Sequence, residues 1–247
     1  MLDGRSVGVV IPARNEQENI AAVVQAVRAL RTPAGEAVVD DIVVCDNGST
    51  DATAERALAA GARVVAEPTP GYGIACLTAI AALGSVEIVL FVDGDQAFHL
   101  EQSLHLLDAI VAGADLAIGS RALGRAEPGA LSLPQIVGNR VAAGLIRLIW
   151  KQRVTDLGPL RAITSRALDA LDMQDRAYGW TVEMQVKAVQ RRMRIVEVPV
   201  DARRRQHGKS KVGGTVRGVI GASIGILGMI LKLWLRPKLG AEARSCA

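Results

Sequence analysis

The stretch Val86-Glu87-Ile88-Val89-Leu90-Phe91-Val92-Asp93-Gly94-Asp95 decides the fold. Its apolar run has the length of one buried strand, and it stops on two carboxylates one residue apart. Runs of the same kind stand at Val7–Ile11, Asp41–Cys45, Arg63–Ala66, Asp115–Gly119 and Ile195–Val200. Between the first five lie segments with apolar residues at helical spacing: Glu16–Leu30, Ala52–Ala60, Ile74–Leu83 and Leu100–Ala112. Strands with little polar alternation, separated by helices, predict a mostly parallel α/β sheet of Rossmann-like form with helices on both faces. Ligands of such sheets sit outside the carboxyl ends of the strands. The polar clusters at 12–16, 46–51 and 93–96 all follow strands, so they are expected in one cleft. Ser49 or Thr50 is expected to cap the helix at Ala52.

Further along, 122–134 reads as a loop, Gln135–Trp150 as a helix, Thr155–Arg161 as a tight polar turn and Gly179–Gln190 as a helix. The chain divides into a main domain over 1–202, with a donor half of about 1–121 and an acceptor half of about 122–202. A basic loop at 203–211 and an apolar helix with its tail at 212–247 follow.

Half of the 247 residues are hydrophobic but only 3% are aromatic, so Ala, Val, Leu and Ile must fill the core. The three cysteines, Cys45, Cys76 and Cys246, have no metal-ligand spacing and suit a reducing compartment. No long apolar run follows Met1, so a cytoplasmic location is expected. The net charge is +4, yet nine Lys or Arg and no Asp or Glu occur in 202–241, leaving the remainder acidic. Such a basic segment suits phosphate or lipid headgroups. It lacks the interleaved aromatics of a single-strand nucleic-acid binder, and no nucleic-acid partner is expected.

Two carboxylates at a strand end can share one hard divalent cation, Mg²⁺ or Mn²⁺, whose remaining ligands would be diphosphate oxygens and water. Asp93 and Asp95 are therefore the candidate metal pair. Arg121 follows the fifth strand and should reach the same cleft, where its planar fork suits phosphate.

The stretches VVIPARNEQENI (9–20), VCDNGSTDAT (44–53), GYGIACLTAI (71–80), LFVDGDQAF (90–98), IGSR (118–121), TDLGPLRAI (155–163), GWTVEMQVKA (179–188) and RRRQHGKSK (203–211) occur in an order that resembles the family 2 glycosyltransferases of GT-A fold. The resemblance extends to dolichol-phosphate mannose synthases and bacterial polyprenyl-phosphate glycosyltransferases. It implies that Pro12, Arg14, Glu16 and Asp46 lie along the nucleotide. Asp93 and Asp95 hold the metal, with Asp95 in a catalytic role. The mannose synthases place a metal-approaching Gln where this chain has Ala97, which leaves Gln96 as the candidate third ligand. Arg121, with Arg140, would contact phosphate, and Arg205 and Lys211 match a basic pair that folds over the donor. Asp156, Gly158 and Arg161 form a turn on the acceptor side, with Asp156 a candidate catalytic acid or base and Arg161 a candidate phosphate ligand. Glu183 stands where family 2 enzymes often keep a base for an acceptor hydroxyl.

The implied reaction is an inverting, metal-dependent transfer of a hexose from a UDP- or GDP-sugar to a polyprenyl or dolichyl phosphate. The alternative keeps the donor and uses a hydroxyl acceptor on a metabolite, glycan or lipid. A nucleotidyltransferase is a distant third reading, because Pro12–Glu16 lacks the glycines of a phosphate loop. Gly218–Leu231 is uncharged and ends near Lys232, Trp234 and Arg236, as interfacial helices do. Contact with the inner face of the cell membrane is expected from it.

Overall fold

The computed structural model describes residues 2–208 and 216–235. Seven strands form one sheet: β1 (Val7–Ala13), β2 (Asp41–Asp46), β3 (Arg63–Ala66), β4 (Ile88–Phe91), β5 (Leu116–Ser120), β6 (Arg161–Thr164) and β7 (Ile195–Pro199). Their order is β3-β2-β1-β4-β6-β5-β7. β1 pairs parallel with both β2 and β4, so the order reverses beside β1 and a crevice opens at the adjacent ends of β1 and β4.

β6 is the exception to the parallel pattern. It runs antiparallel between β4 and β5, with Phe91 opposite Arg161 and Ile118 opposite Arg161 on its other side. The expected polar turn at 155–161 is therefore a buried approach to a strand. Asp156, Leu157, Leu160 and Arg161 are all buried there. A strand of four residues beginning on Arg carries too little pattern to read locally.

Helices α1 (Ile20–Arg28), α2 (Thr53–Ala59) and α4 (Ser103–Val111) cover one face of the sheet. Helices α3 (Tyr72–Ala82), α6 (Ser165–Leu171) and α7 (Trp180–Gln190) cover the other. α1 buries Ile20, Val23, Val24 and Val27, the spacing of one helix face. It begins at Ile20 rather than Glu16 because the preceding turn is bound elsewhere. The Asn15, Glu16 and Gln17 amides donate to Ser49 Oγ (2.9 Å), Thr53 Oγ1 (2.8 Å) and Asp51 Oδ2 (3.3 Å). The same bonds overturn the expected cap of α2. Ser49 is spent on Asn15, the Thr50 amide donates to Asn15 Oδ1, and Ala52 stands at the N-cap without a side-chain bond.

α5 (Leu133–Trp150) starts on a capping box of Ser132 and Gln135 with a proline in its first turn. It packs with α7 and α8 (Val216–Leu235) around Ala142, Ile146, Leu157, Val182, Val186, Met229, Ile230 and Leu233. Phe91 on β4 meets Trp180 of α7 at 6.2 Å between ring centroids. That contact seats α7 directly under the strand that delivers the acidic pair.

Candidate active site

A cleft of about 490 Å³ opens at the ends of β1 and β4. Pro12, Arg14, Glu16, Asp93 and Asp95 line it, as the sequence led us to expect, and so does Arg205 from the segment that crosses above. Asp93 accepts a hydrogen bond from the Tyr72 hydroxyl at 3.0 Å. Burial, and then the neighbouring Asp95 carboxylate, push the Asp93 carboxyl up to about 7. Asp95 Oδ1 is held by the Ala97 amide at 3.0 Å, while its Oδ2 receives the Arg205 guanidinium. The other arm of that guanidinium reaches Glu16 Oε1 at 3.1 Å. Asn19 fixes Glu16 Oε2 (2.8 Å) and also donates to the His207 carbonyl (3.3 Å), which ties the crossing segment to the start of α1.

Asp93 and Asp95 offer hard oxygen ligands, and the place between them and Glu16 already draws a cation in Arg205. The donor set fits Mg²⁺ or Mn²⁺. Among the described residues no group of three His, Cys, Asp or Glu side chains is placed to hold a metal, which leaves Asp93 and Asp95 as the candidate protein ligands. Gln96 is not among the residues lining the cleft. It occupies a left-handed turn (φ 57°).

Several other expectations are corrected. Asp46 gives its Oδ1 to the Ser49 amide at 3.1 Å, and its neighbour Asn47 lines the cleft instead. Asn47 binds the Glu67 and Thr69 carbonyls (3.0 and 2.7 Å) and the Gly71 amide (2.9 Å), fastening the end of β2 to the loop before α3. Asp156 is buried and grips Arg121 at both ends of its fork, at 2.8 and 2.7 Å. It orients that cation rather than acting as a base. Arg121 in turn lowers the cost of ionising Asp93 and lines a second cavity of about 220 Å³ with Gln135, Asn139 and Arg140.

Glu183 is also buried, and it is not among the residues that line the cleft. Its carboxylate receives the Gln174 and Asp175 amides (3.0 and 2.7 Å) and pairs with Lys187 at 2.8 Å. A helix-start acid whose oxygens are so occupied anchors the 174–178 loop. Arg161 spends its guanidinium on the Gly158 and Thr181 carbonyls (2.7 Å each) and on Gln185 (3.3 Å). It is a structural cation of the interior, not a phosphate ligand, and burial lowers it to about 10. Lys211 lies outside the described residues.

Tyr72, Asn47 and Tyr178 are site residues that sequence reading passed over. The signal for Tyr72 was its two glycine neighbours. A Cβ on Gly73 would run into the Asp175 carbonyl, and one on Gly71 into the Arg176 carbonyl. The glycines let the 175–177 strand of chain close against α3, with the Gly73 and Ile74 amides bound to the Ala177 and Arg176 carbonyls. Ala177 and Tyr178 thereby become the far wall of the cleft.

The family model described as Glycosyl transferase family 2 matches residues 8–170. An uncharacterized glycosyltransferase of Mycobacterium tuberculosis is 37% identical over 219 residues, 88% of this chain and 94% of that protein. Glycosyltransferase AglJ of Haloferax volcanii is 31% identical over 195 residues, 78% of this chain and 62% of that one. Among solved structures, glucosyl-3-phosphoglycerate synthase from M. tuberculosis in complex with UDP matches with a TM-score of 0.73 at 25% identity, covering 96% of this chain and 83% of that chain. The same enzyme has also been solved with Mn²⁺, UDP and glucosyl-3-phosphoglycerate, and with Mg²⁺ and UDP, at 24% identity in each case.

Proposed function

The chain belongs to glycosyl transferase family 2 and is a glycosyltransferase; from that premise we propose that it moves a hexose from a UDP-sugar to a hydroxyl of a negatively charged small acceptor. The observation that carries this reading is the Asp93–Asp95 pair at the end of β4, inside the cleft shared with Glu16 and Arg205. Bound Mg²⁺ or Mn²⁺ supplies charge neutralisation for the departing diphosphate.

The chain's own groups do the rest. Asp95 is presented by the Ala97 amide, and Asp93 by the Tyr72 hydroxyl, so both carboxylates are set before substrate arrives. Arg14 and Asn47 line the nucleotide end of the cleft. Arg121, fixed by Asp156, stands between that pair and the second cavity, where Arg140 and Asn139 add donors for an anionic acceptor. The choice of UDP and of a charged small acceptor is supported by glucosyl-3-phosphoglycerate synthase, which has been solved with UDP and, separately, with phosphoglyceric acid.

One observation favours a second reading, transfer to a polyprenyl phosphate. Asp156 and Glu183 are both fully engaged, so neither is open to deprotonate a hydroxyl. An ionised phosphate acceptor needs no base.

Labelled UDP-glucose offered with Mn²⁺ and either phosphoglycerate or a polyprenyl phosphate separates the two readings. Label in a water-soluble phosphorylated product supports the first, and label in the organic phase supports the second. Absence of transfer to both, with UDP-galactose and GDP-mannose also inert, overturns the two together.

A further inference from the structure

α5 and α8 pack together on their inner sides, and their outer sides carry large apolar groups that nothing among the described residues covers. On α5, Leu133, Val137, Val141 and Leu148 are exposed, Leu133 and Leu148 by 77% and 75%. At 3.6 residues per turn these four fall within an arc of about 80°. On α8, Ile220, Ile224, Leu227, Leu231 and Trp234 are exposed and fall within an arc of about 80° as well. Scattered exposed leucines are ordinary, but an apolar stripe confined to one side of each of two neighbouring helices is not.

The charge around these stripes has one sign. Arg140 and Arg147 on α5, Lys151 and Arg153 just beyond it, and Lys232 on α8 are all exposed. No Asp or Glu occurs anywhere in 128–155 or in 216–235. We propose that the paired outer faces of α5 and α8 form one docking surface for an anionic lipid bilayer, on which the protein lies without spanning it. An apolar stripe bordered only by cations matches an acyl boundary beneath anionic headgroups.

α8 is long and apolar enough to cross a membrane by composition alone, with a mean hydropathy of 1.9 over Gly218–Leu235. Its packing argues for the surface position. Met229, Ile230 and Leu233 are buried among Val182, Val186 and Ile146, and the Gln190 side chain donates to the Leu233 carbonyl at 3.2 Å. Spanning would expose that interface to lipid and strip α7 of its cover. The glycines of α8 serve the same contact: a Cβ on Gly225 would press on Tyr178 at 3.2 Å. Since Tyr178 lines the cleft, the inner side of α8 backs the cleft wall while its outer side carries the apolar stripe. The docking holds for either acceptor and does not depend on the transfer reading.

The test is co-sedimentation of the full chain with vesicles of equal parts phosphatidylglycerol and phosphatidylcholine, against vesicles of phosphatidylcholine alone. The expected result is pelleting with the anionic vesicles, release by alkaline carbonate, and a loss of partitioning of at least about tenfold in Ile224→Glu and separately in Leu148→Glu. Binding of UDP with Mn²⁺ in both variants, unchanged without vesicles, shows that fold and donor cleft are intact. Partitioning that survives Leu148→Glu removes α5 from the surface, and resistance to carbonate means that α8 spans; either overturns the proposal. Failure to pellet, with sedimentation velocity showing a dimer that Ile224→Glu splits, assigns the face to a second copy instead. Failure to pellet as a monomer also overturns it.

Discussion

Arg205 reaches across the cleft to two carboxylates, Asp95 and Glu16, and Asp95 is also a metal ligand in the proposed reaction. One oxygen cannot serve both cations at full strength. Arg205→Ala is therefore expected to tighten Mn²⁺ binding in the absence of donor by several-fold, as read by calorimetry, while weakening UDP-sugar binding when the segment must close over diphosphate. The neighbouring Asp93 gives a pH signature. Its folded value near 7 lies above the ordinary carboxylate value of about 4, so the metal-free fold holds that proton more tightly than the unfolded chain does. By linkage, this contribution to stability is present below about pH 4 and is lost as the pH rises to about 7. Mn²⁺ must displace the same proton, so its affinity should climb up to about pH 7 and then level off. In Asp93→Asn the pH dependence of metal-free stability across that window should flatten, which denaturant titrations at several pH values would measure.

At the scale of elements, α7 does two things for the site. Trp180 packs on Phe91 beneath the acidic pair, and Glu183, one turn on, holds the 174–175 amides that set the far wall. Glu183 and Lys187 are both nearly inaccessible, so removing one charge strands the other. Glu183→Gln is expected to cost about 3–5 kcal/mol of stability. It should leave the shape of the pH-rate profile unchanged, because the residue anchors a loop. A lost acidic limb in that profile, with stability intact, would restore Glu183 as a base.

The element pattern itself was legible wherever a segment is long and its burial one-sided or complete. β1, β2, β4 and β5 each stand as an apolar run, and α1 shows its buried face at 20, 23, 24 and 27. β6 and α6 were not legible. Four residues beginning with a buried Arg, followed by a seven-residue helix, carry less periodic signal than the noise of a polar turn. What makes Arg161 tolerable inside is the Gly158 carbonyl nearby together with two acceptors on α7, Thr181 and Gln185, which no local window contains.

For the whole molecule, both halves of the chain contribute to one sheet, because β6 enters between β4 and β5. Ligand at the β4 end should therefore stabilise the fold cooperatively. With Mn²⁺ and UDP at about a hundred times their dissociation constants, the gain is about 2.7 kcal/mol, or roughly 5–10 °C in midpoint for a chain of this size. A thermal scan should show the shift with UDP and Mn²⁺ together, a smaller one with GDP and Mn²⁺, and none in Asp95→Asn.

The sequence by itself determined which strands end in polar clusters, that Asp93 and Asp95 form the acidic pair, and that the last helix is apolar. Those are local properties, written in run length, periodicity and the placement of Gly and Pro. Tertiary structure decided which candidate does what. Asp156 and Glu183 look alike in sequence as acids near the acceptor side, yet one clamps Arg121 and the other binds two loop amides. Asp46 and Asn47 are adjacent, and only the second faces the cleft. A side chain's role follows from its partners, and these partners lie up to 189 positions away, as Arg205 does from Glu16. The acidic pair could be read from the chain; the cation placed upon it could be known only from the fold.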